Sequence, residues 1–123
     1  MYEIMVETHL DAAHFLRGYR GKCEAMHGHR FRVAARVSAV ALNDIGIAYD
    51  FADLKKDLNE AIAGLDHTCL NDHPSFQDMN PSSENLARLV YDRLEARLRG
   101  SGLKLGTVEV WESPYTAVVY RPD

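Results

Sequence analysis

The most informative indication of the fold is the segment Arg30-Phe31-Arg32-Val33-Ala34-Ala35-Arg36-Val37-Ser38-Ala39. Every second residue from Phe31 to Ala39 is apolar, and the other set, Arg30, Arg32, Ala34, Arg36 and Ser38, contains three arginines. Successive side chains of a β-strand point to opposite faces of the sheet, so this alternation predicts a strand that is buried on one face only. Such a strand is typical of a sheet that helices cover on one side.

The flanking sequence supplies the other elements. Residues 2–10 alternate in the same way and predict a first strand. Asp50 is a candidate N-cap for a helix whose apolar stripe extends to Leu65, and a second helix is predicted from about Asn80 to Leu98, before Gly100. Two further strands are expected at 105–112 and 116–120. The order ββααββ predicts an α+β fold, a four-stranded antiparallel sheet with two helices on one face. Such a sheet has two open edges, which pairing with other subunits would protect.

Length and composition narrow the functional classes. The 123 residues predict a single domain spanning 1–123, with 46% hydrophobic and 26% charged residues. A net charge of −4 gives no general attraction to nucleic acid or to an anionic membrane. No apolar run is long enough for a transmembrane helix, and the charged first residues do not fit a secretory signal. We therefore expect a cytoplasmic protein in which Cys23 and Cys69 are free thiols.

Three histidines are the main candidates for a metal site. His27 and His29 are two residues apart, so in a strand both side chains project from the same face. His14, at the end of the first strand, could supply a third nitrogen. Three histidines and one open position form the pattern of catalytic zinc sites. The alternative interpretation is that these are hydrogen-bonded or surface histidines without a metal.

Cys23 lies four residues before His27 and leaves two interpretations open. It could be a fourth ligand that closes a structural zinc site, or a thiolate base whose pKa is lowered by Lys22 and the cation. Asp66 and His67, adjacent after the first helix, could serve in proton transfer or be a surface pair. Glu112 shares a strand face with apolar residues, and a carboxylate there needs hydrogen-bond donors or a ligand.

The chain resembles the 6-pyruvoyl-tetrahydropterin synthase and 6-carboxy-tetrahydropterin synthase family over nearly its whole length. Each motif alone is weak, but their order and spacing together are highly specific. The motifs are Asp11-Ala12-Ala13-His14, Cys23-Glu24-Ala25-Met26-His27-Gly28-His29, Gly46-Ile47-Ala48-Tyr49-Asp50-Phe51, Leu65-Asp66-His67, Leu70-Asn71, Asn80-Pro81-Ser82-Ser83-Glu84-Asn85-Leu86-Ala87 and Trp111-Glu112-Ser113.

The resemblance implies the tunnelling fold, in which three subunits close a barrel and two trimers stack into a homohexamer with active sites at subunit interfaces. It implies a Zn²⁺ cofactor and a small-molecule pterin triphosphate as substrate. The implied roles are these: His14, His27 and His29 bind zinc, Cys23 is the proton-abstracting base, His67 with Asp66 assists proton transfer, Glu112 anchors the pterin and acts in catalysis, and Ser82 and Ser83 bind substrate.

The three residues between Cys23 and His27 resemble the spacing in the bacterial queuosine-pathway enzymes. The implied reaction converts 7,8-dihydroneopterin triphosphate to 6-carboxy-5,6,7,8-tetrahydropterin. One alternative is the pyruvoyl-forming reaction on the same substrate. A second is a cupin-type oxygenase, but that class requires a glutamate soon after the histidine pair. A third is a non-catalytic domain that zinc stabilises. Arg17, Arg20 and Lys22 could contact the triphosphate or be a solvated basic loop.

Overall fold

A computed structural model describes residues 1–18 and 25–123. Within these residues the chain forms two α-helices and five β-strands. In chain order they are β1 (Tyr2–His14), β2 (His27–Ala39), α1 (Phe51–Ala61), β3 (Thr68–Cys69), α2 (Ser83–Leu98), β4 (Lys104–Ser113) and β5 (Thr116–Tyr120). Two short 3₁₀ turns, Leu70–Asp72 and Pro74–Phe76, lie between β3 and α2. The predicted α+β class and the two helices are therefore confirmed.

The five strands form one sheet in the order β3-β1-β2-β4-β5. The two long strands β1 and β2 are antiparallel over 13 residues each, from the pair Tyr2 and Ala39 to the pair His14 and His27. β4 pairs antiparallel with β2 and with β5. This register brings the end of β1 to the beginning of β2, where the three candidate histidines are.

The prediction of a four-stranded, wholly antiparallel sheet was wrong. Thr68 and Cys69 form a fifth strand that runs parallel to β1, beside Ala12 and Ala13. The chain turns into this position at His67, which has a left-handed backbone (φ 57°) and whose N–H donates to the Asp11 carbonyl. A strand of two residues has no alternation to detect, so the sequence pattern could not show it.

Both helices pack on the same face of the sheet. Leu54 and Leu58 of α1 and Leu86, Val90 and Leu94 of α2 are fully buried. They join one apolar core with the inward side chains of the sheet, which include Leu10, Phe31, Val33, Val108 and Val110. α1 ends at Ala61, earlier than its stripe suggested, because Ile62 closes the helix and the buried Leu65 belongs to the turn that follows.

The other face of the sheet carries ion pairs. Arg30 binds Asp11 in a bidentate manner at 2.9 and 3.0 Å, and Arg36 Nε donates to Glu109 at 2.9 Å. The alternation of the segment at 30–39 therefore separates an apolar core from a charged face. Among the described residues, no helix has the length and apolarity to cross a membrane.

Candidate functional site: three histidines and a carboxylate

Three imidazoles meet where β1 ends and β2 begins. His14 is the cross-strand partner of His27, and His29 follows on the same face of β2. The ring centroid of His27 lies 4.6 Å from that of His14 and 4.7 Å from that of His29. Each of the three histidines has one ring nitrogen within 4.8 Å of a ring nitrogen of the other two. The structure thus brings together all three residues that the sequence analysis selected as metal ligands.

The hydrogen bonds around the cluster leave nitrogen lone pairs free. Nδ1 of His14 donates to the Pro81 carbonyl at 2.7 Å, and Nδ1 of His27 donates to the Ala25 carbonyl at 2.8 Å. The Nε2 atoms of His14 and His29 are buried and have no hydrogen-bond partner among the residues that the structure describes. A metal-binding histidine characteristically donates its other ring N–H in this way, so the cluster fits a metal ion with three nitrogen ligands.

Burial also favours the neutral form that a metal requires. It lowers the pKa of His29, although the nearby Glu112 carboxylate opposes part of this shift. His14 is only 1% exposed, and its ring packs edge-on against Phe31, with centroids 5.5 Å apart. An uncharged imidazole can coordinate a cation, whereas an imidazolium cannot.

Glu112 lies beside the cluster, near the end of β4. Its Oε1 is 3.8 Å from Nε2 of His14 and accepts a hydrogen bond of 2.7 Å from the Ser83 hydroxyl. The carboxylate lines a cleft of about 260 Å³ that Ser82, Ser83 and Glu84 at the start of α2 also line. A carboxylate held in this position can accept hydrogen bonds from a ligand in the cleft while it faces the histidines.

The two serines of the predicted substrate site differ in their contacts. Ser82 is the N-cap of α2, and its hydroxyl accepts from the Asn85 N–H at 3.2 Å. Ser83 is 8% exposed and donates to Glu112. Both hydroxyls therefore already have partners in the protein, and Ser83 contacts the site through Glu112.

Asp66 and His67 form a second, separate group. Nδ1 of His67 lies 3.0 Å from Asp66 Oδ2, and the other carboxylate oxygen accepts from the Asp11 N–H at 2.9 Å. The pair clusters with Asp11, and the His67 side chain is 77% exposed. Within one chain, His67 is thus an oriented imidazole open to an outside group.

Cys23, Arg20 and Lys22 lie outside the described residues, and their predicted roles stay predictions. Arg17 is described, and its guanidinium donates to the carbonyls of Phe76 at 2.8 Å and Asn71 at 3.2 Å. These bonds hold it against the protein, which favours a structural role over triphosphate binding. The sequence motifs give no indication of the Pro81 carbonyl that fixes His14, because a backbone group leaves no signal in residue type.

Comparisons with known proteins show which sequences and structures this chain is similar to. Residues 3–123 match the family described as 6-pyruvoyl tetrahydropterin synthase. A relative from Bacillus subtilis named 6-carboxy-5,6,7,8-tetrahydropterin synthase is 35% identical, with 98% of this chain and 86% of the relative covered. The human 6-pyruvoyl tetrahydrobiopterin synthase is 36% identical, with 84% and 72% covered. The structure of Caenorhabditis elegans 6-pyruvoyl tetrahydropterin synthase superposes with a TM-score of 0.86 at 24% identity, over 99% of this chain and 96% of the other.

Proposed function

The chain belongs to the 6-pyruvoyl tetrahydropterin synthase family, and from this membership we propose that it is the carboxy-forming enzyme of the family. The reaction takes 7,8-dihydroneopterin triphosphate to 6-carboxy-5,6,7,8-tetrahydropterin, acetaldehyde and triphosphate. The carboxylate and the aldehyde contain three oxygen atoms, and the two side-chain hydroxyls supply two, so one water enters. The predicted family membership and enzyme class are confirmed, and residues 1–123 act as one synthase domain in this proposal.

The match to relatives supports the carboxy-forming branch. Two relatives, from Bacillus subtilis and Synechocystis, are named 6-carboxy-5,6,7,8-tetrahydropterin synthase. Each alignment includes 98% of this chain, and it includes 86% of the Bacillus protein and 93% of the Synechocystis protein. For the human pyruvoyl-forming enzyme the corresponding shares are 84% and 72%. The short spacing between Cys23 and His27 points the same way. The product would then serve queuosine synthesis in the cytoplasm.

The single observation that carries the proposal is the convergence of His14, His27 and His29 with free nitrogen lone pairs beside Glu112. We assign the three histidines to a zinc ion. When bound there, zinc would act as a Lewis acid that polarises the hydroxyl oxygens of the substrate side chain. The Pro81 and Ala25 carbonyls hold the imidazoles of His14 and His27 in the tautomer that this requires.

The protein side chains supply binding and proton transfer. Glu112, held by Ser83, accepts hydrogen bonds from the amino-pyrimidinone edge of the pterin ring in the cleft at the start of α2. Cys23, as a thiolate, takes a proton from the carbon chain beside the ring. His67, oriented by Asp66 at 3.0 Å, assists the transfer.

The exposure of His67 supports an oligomer with shared sites. Its side chain is 77% exposed, and Asp66 and His67 do not cluster with the three histidines within one chain. β5 is an edge strand, and the structure pairs only Ala12 and Ala13 of β1 with β3 on the outer edge of β1. In the homohexamer that we propose, His67 reaches the site of a neighbouring subunit. Light scattering should give a mass near six times 13.9 kDa.

The decisive experiment is mass spectrometry of the products that zinc-loaded protein forms from 7,8-dihydroneopterin triphosphate. We expect 6-carboxy-5,6,7,8-tetrahydropterin together with acetaldehyde. A 6-pyruvoyl product would assign the protein to the other branch of its family. Unchanged substrate with zinc bound would contradict the proposed activity.

A Cys23→Ala variant separates a catalytic site from a structural zinc site. If Cys23 is the base, the variant should keep its zinc and its thermal stability and lose turnover by about a hundredfold or more. Loss of zinc together with stability would instead make Cys23 a ligand. Cys69→Ala is the matched control, because it removes the other thiol, and we expect it to retain activity.

A further inference from the structure

Two asparagine side chains continue the hydrogen bonding of β1 beyond its end. β1 and β2 stop pairing at His14 and His27, and no strand among residues 1–18 and 25–123 pairs with the backbone of residues 15–17. Asn71 Oδ1 accepts from the Phe15 N–H and Asn71 Nδ2 donates to the Phe15 carbonyl, both at 3.0 Å. Asn80 forms the same pair of bonds with Arg17, both at 2.9 Å. Each amide thus replaces one residue of an antiparallel partner strand.

The two amides, which we call the amide latch, are themselves fixed. Asn71 is 5% exposed, and its backbone carbonyl accepts a hydrogen bond from Gln77 Nε2 at 2.8 Å. The Asn80 carbonyl accepts from Asn85 Nδ2 at 2.8 Å, which ties this residue to the first turn of α2. The guanidinium of Arg17 donates to the Asn71 carbonyl as well. The latch therefore joins the residues that follow β1 to the segment between β3 and α2.

The same part of the chain holds the ring of His14. The Pro81 carbonyl, which accepts from His14 Nδ1 at 2.7 Å, belongs to the residue directly after Asn80. The backbone that follows His14 and the direction of its ring are thus both held by the segment between β3 and α2. A shift of that segment would turn Nε2 of His14 away from the nitrogens of His27 and His29.

We propose that Asn71 and Asn80 are positioning residues that orient His14 for metal binding. The inference rests on the proposed zinc site and adds to it two residues that neither coordinate the metal nor line the cleft. Partners that orient a ligand without touching the metal typically change metal affinity about 10- to 100-fold when they are removed. An aspartate at either position keeps the acceptor oxygen but places a second oxygen against a backbone carbonyl, so one bond of the pair is lost and repulsion replaces it.

The test measures zinc affinity of Asn80→Asp and Asn71→Asp by competition with a chromophoric chelator, together with thermal unfolding of the zinc-free proteins. Asn59→Asp is the matched control. Asn59 lies on α1, and its Oδ1 accepts from the Thr8 hydroxyl at 2.7 Å, a bond that a carboxylate can keep. We expect the zinc Kd to rise about 10- to 100-fold in the two latch variants and to stay within about twofold in the control.

The outcomes separate the latch from the proposed function. Unchanged zinc affinity in Asn80→Asp, with or without a lower melting temperature, would overturn the positioning role. Wild-type protein that binds no zinc would overturn the zinc site and the latch together. Asn71 is buried, so the Asn71→Asp variant is at greater risk of not folding. In that case the zinc affinity of Asn80→Asp, at a half-buried position, tests the proposal.

Discussion

The Ser83 hydroxyl donates a 2.7 Å hydrogen bond to Oε1 of Glu112 and so connects the first residue of α2 with the end of β4. The same oxygen of Glu112 faces Nε2 of His14 at 3.8 Å. A carboxylate that would hold the substrate is thus fixed by a helix on one side and lies next to a candidate metal ligand on the other.

Ser83→Ala should weaken substrate binding without unfolding the protein. It removes a hydrogen bond to an ionised carboxylate, a bond worth about 1.5–3 kcal/mol. Because Glu112 is partly exposed, water will replace part of that bond, and we expect KM to rise about tenfold with a smaller change in kcat. Steady-state kinetics with the pterin triphosphate measures the effect. An unchanged KM would show that Ser83 does not hold Glu112 for substrate.

Ser82→Ala is the matched control and should have the opposite profile. Ser82 caps α2 through its bond to the Asn85 N–H, and it makes no bond to Glu112. Loss of an N-cap costs about 1 kcal/mol of stability. We expect a melting temperature lower by a few degrees and a smaller rise in KM than in Ser83→Ala, because Ser82 lines the cleft but does not hold Glu112. A large rise in KM would indicate that the Ser82 hydroxyl contacts the substrate itself.

His29→Ala should abolish specific zinc binding. It removes one of the three proposed nitrogen ligands, and two histidines alone should bind zinc far more weakly. In wild type, zinc at about 100 times its Kd should add about 2.7 kcal/mol to the free energy of unfolding. That increment should vanish in the variant. Thermal unfolding with and without zinc, combined with metal analysis, measures both effects.

His9→Ala provides the control for the zinc experiment. His9 is exposed, and it belongs to neither of the two groups of potential metal ligands that the described residues form. We expect it to keep the full stabilisation by zinc. Equal loss in both variants would mean that zinc binds at the surface rather than at the three histidines.

The alternation at 30–39 was enough to predict one long strand with a single buried face, and so a sheet that helices cover on that side. A long strand shows a period-two pattern when one of its faces is buried. Here that face packs on Leu54, Leu58 and the other core residues. The spacing of His27 and His29 likewise placed two candidate metal ligands on one face. These features depend on side-chain type at fixed intervals, which a sequence displays.

The features that the sequence did not reveal depend on the backbone. β3 follows from a left-handed residue, His67, and a two-residue strand, and the ring of His14 is fixed by the Pro81 carbonyl. Neither leaves a signal in residue type. Asn71 and Asn80 belong to recognisable motifs, but their pairing with Phe15 and Arg17 spans more than fifty residues and appears only in the fold.

Leu58→Ala tests the helix face that the pattern predicted. Leu58 is fully buried in the core, and its truncation should cost about 2–5 kcal/mol through lost burial and the cavity left behind. Lys55→Ala, on the exposed side of the same helix, should change the free energy of unfolding by no more than about 0.5 kcal/mol. Chemical denaturation of both variants measures the difference. Similar values would contradict the placement of α1.

Glu109 makes the stability of the charged sheet face depend on pH. Partial burial alone would raise its pKa, but hydrogen bonds from Arg36 at 2.9 Å and from the Trp111 indole at 3.1 Å outweigh burial and lower the pKa below 4.5. A carboxyl with a lowered pKa in the folded protein adds stability above its unfolded pKa, and this contribution is lost as the pH falls through the folded value. Glu109→Gln should therefore be less stable than wild type near pH 7, and the difference should shrink below pH 4.5.

Urea unfolding followed by fluorescence measures this pH dependence, because Trp111 is the single tryptophan and lies against both Glu109 and Arg32. Glu95→Gln is the matched control. It removes a surface ion pair with Arg99 one helical turn away, and such pairs contribute about 0.3–0.5 kcal/mol. We expect the stability difference of Glu109→Gln from wild type to exceed that of the control near pH 7 and to approach it in acid. A difference that stays constant across this range would show that ionised Glu109 does not stabilise the folded sheet.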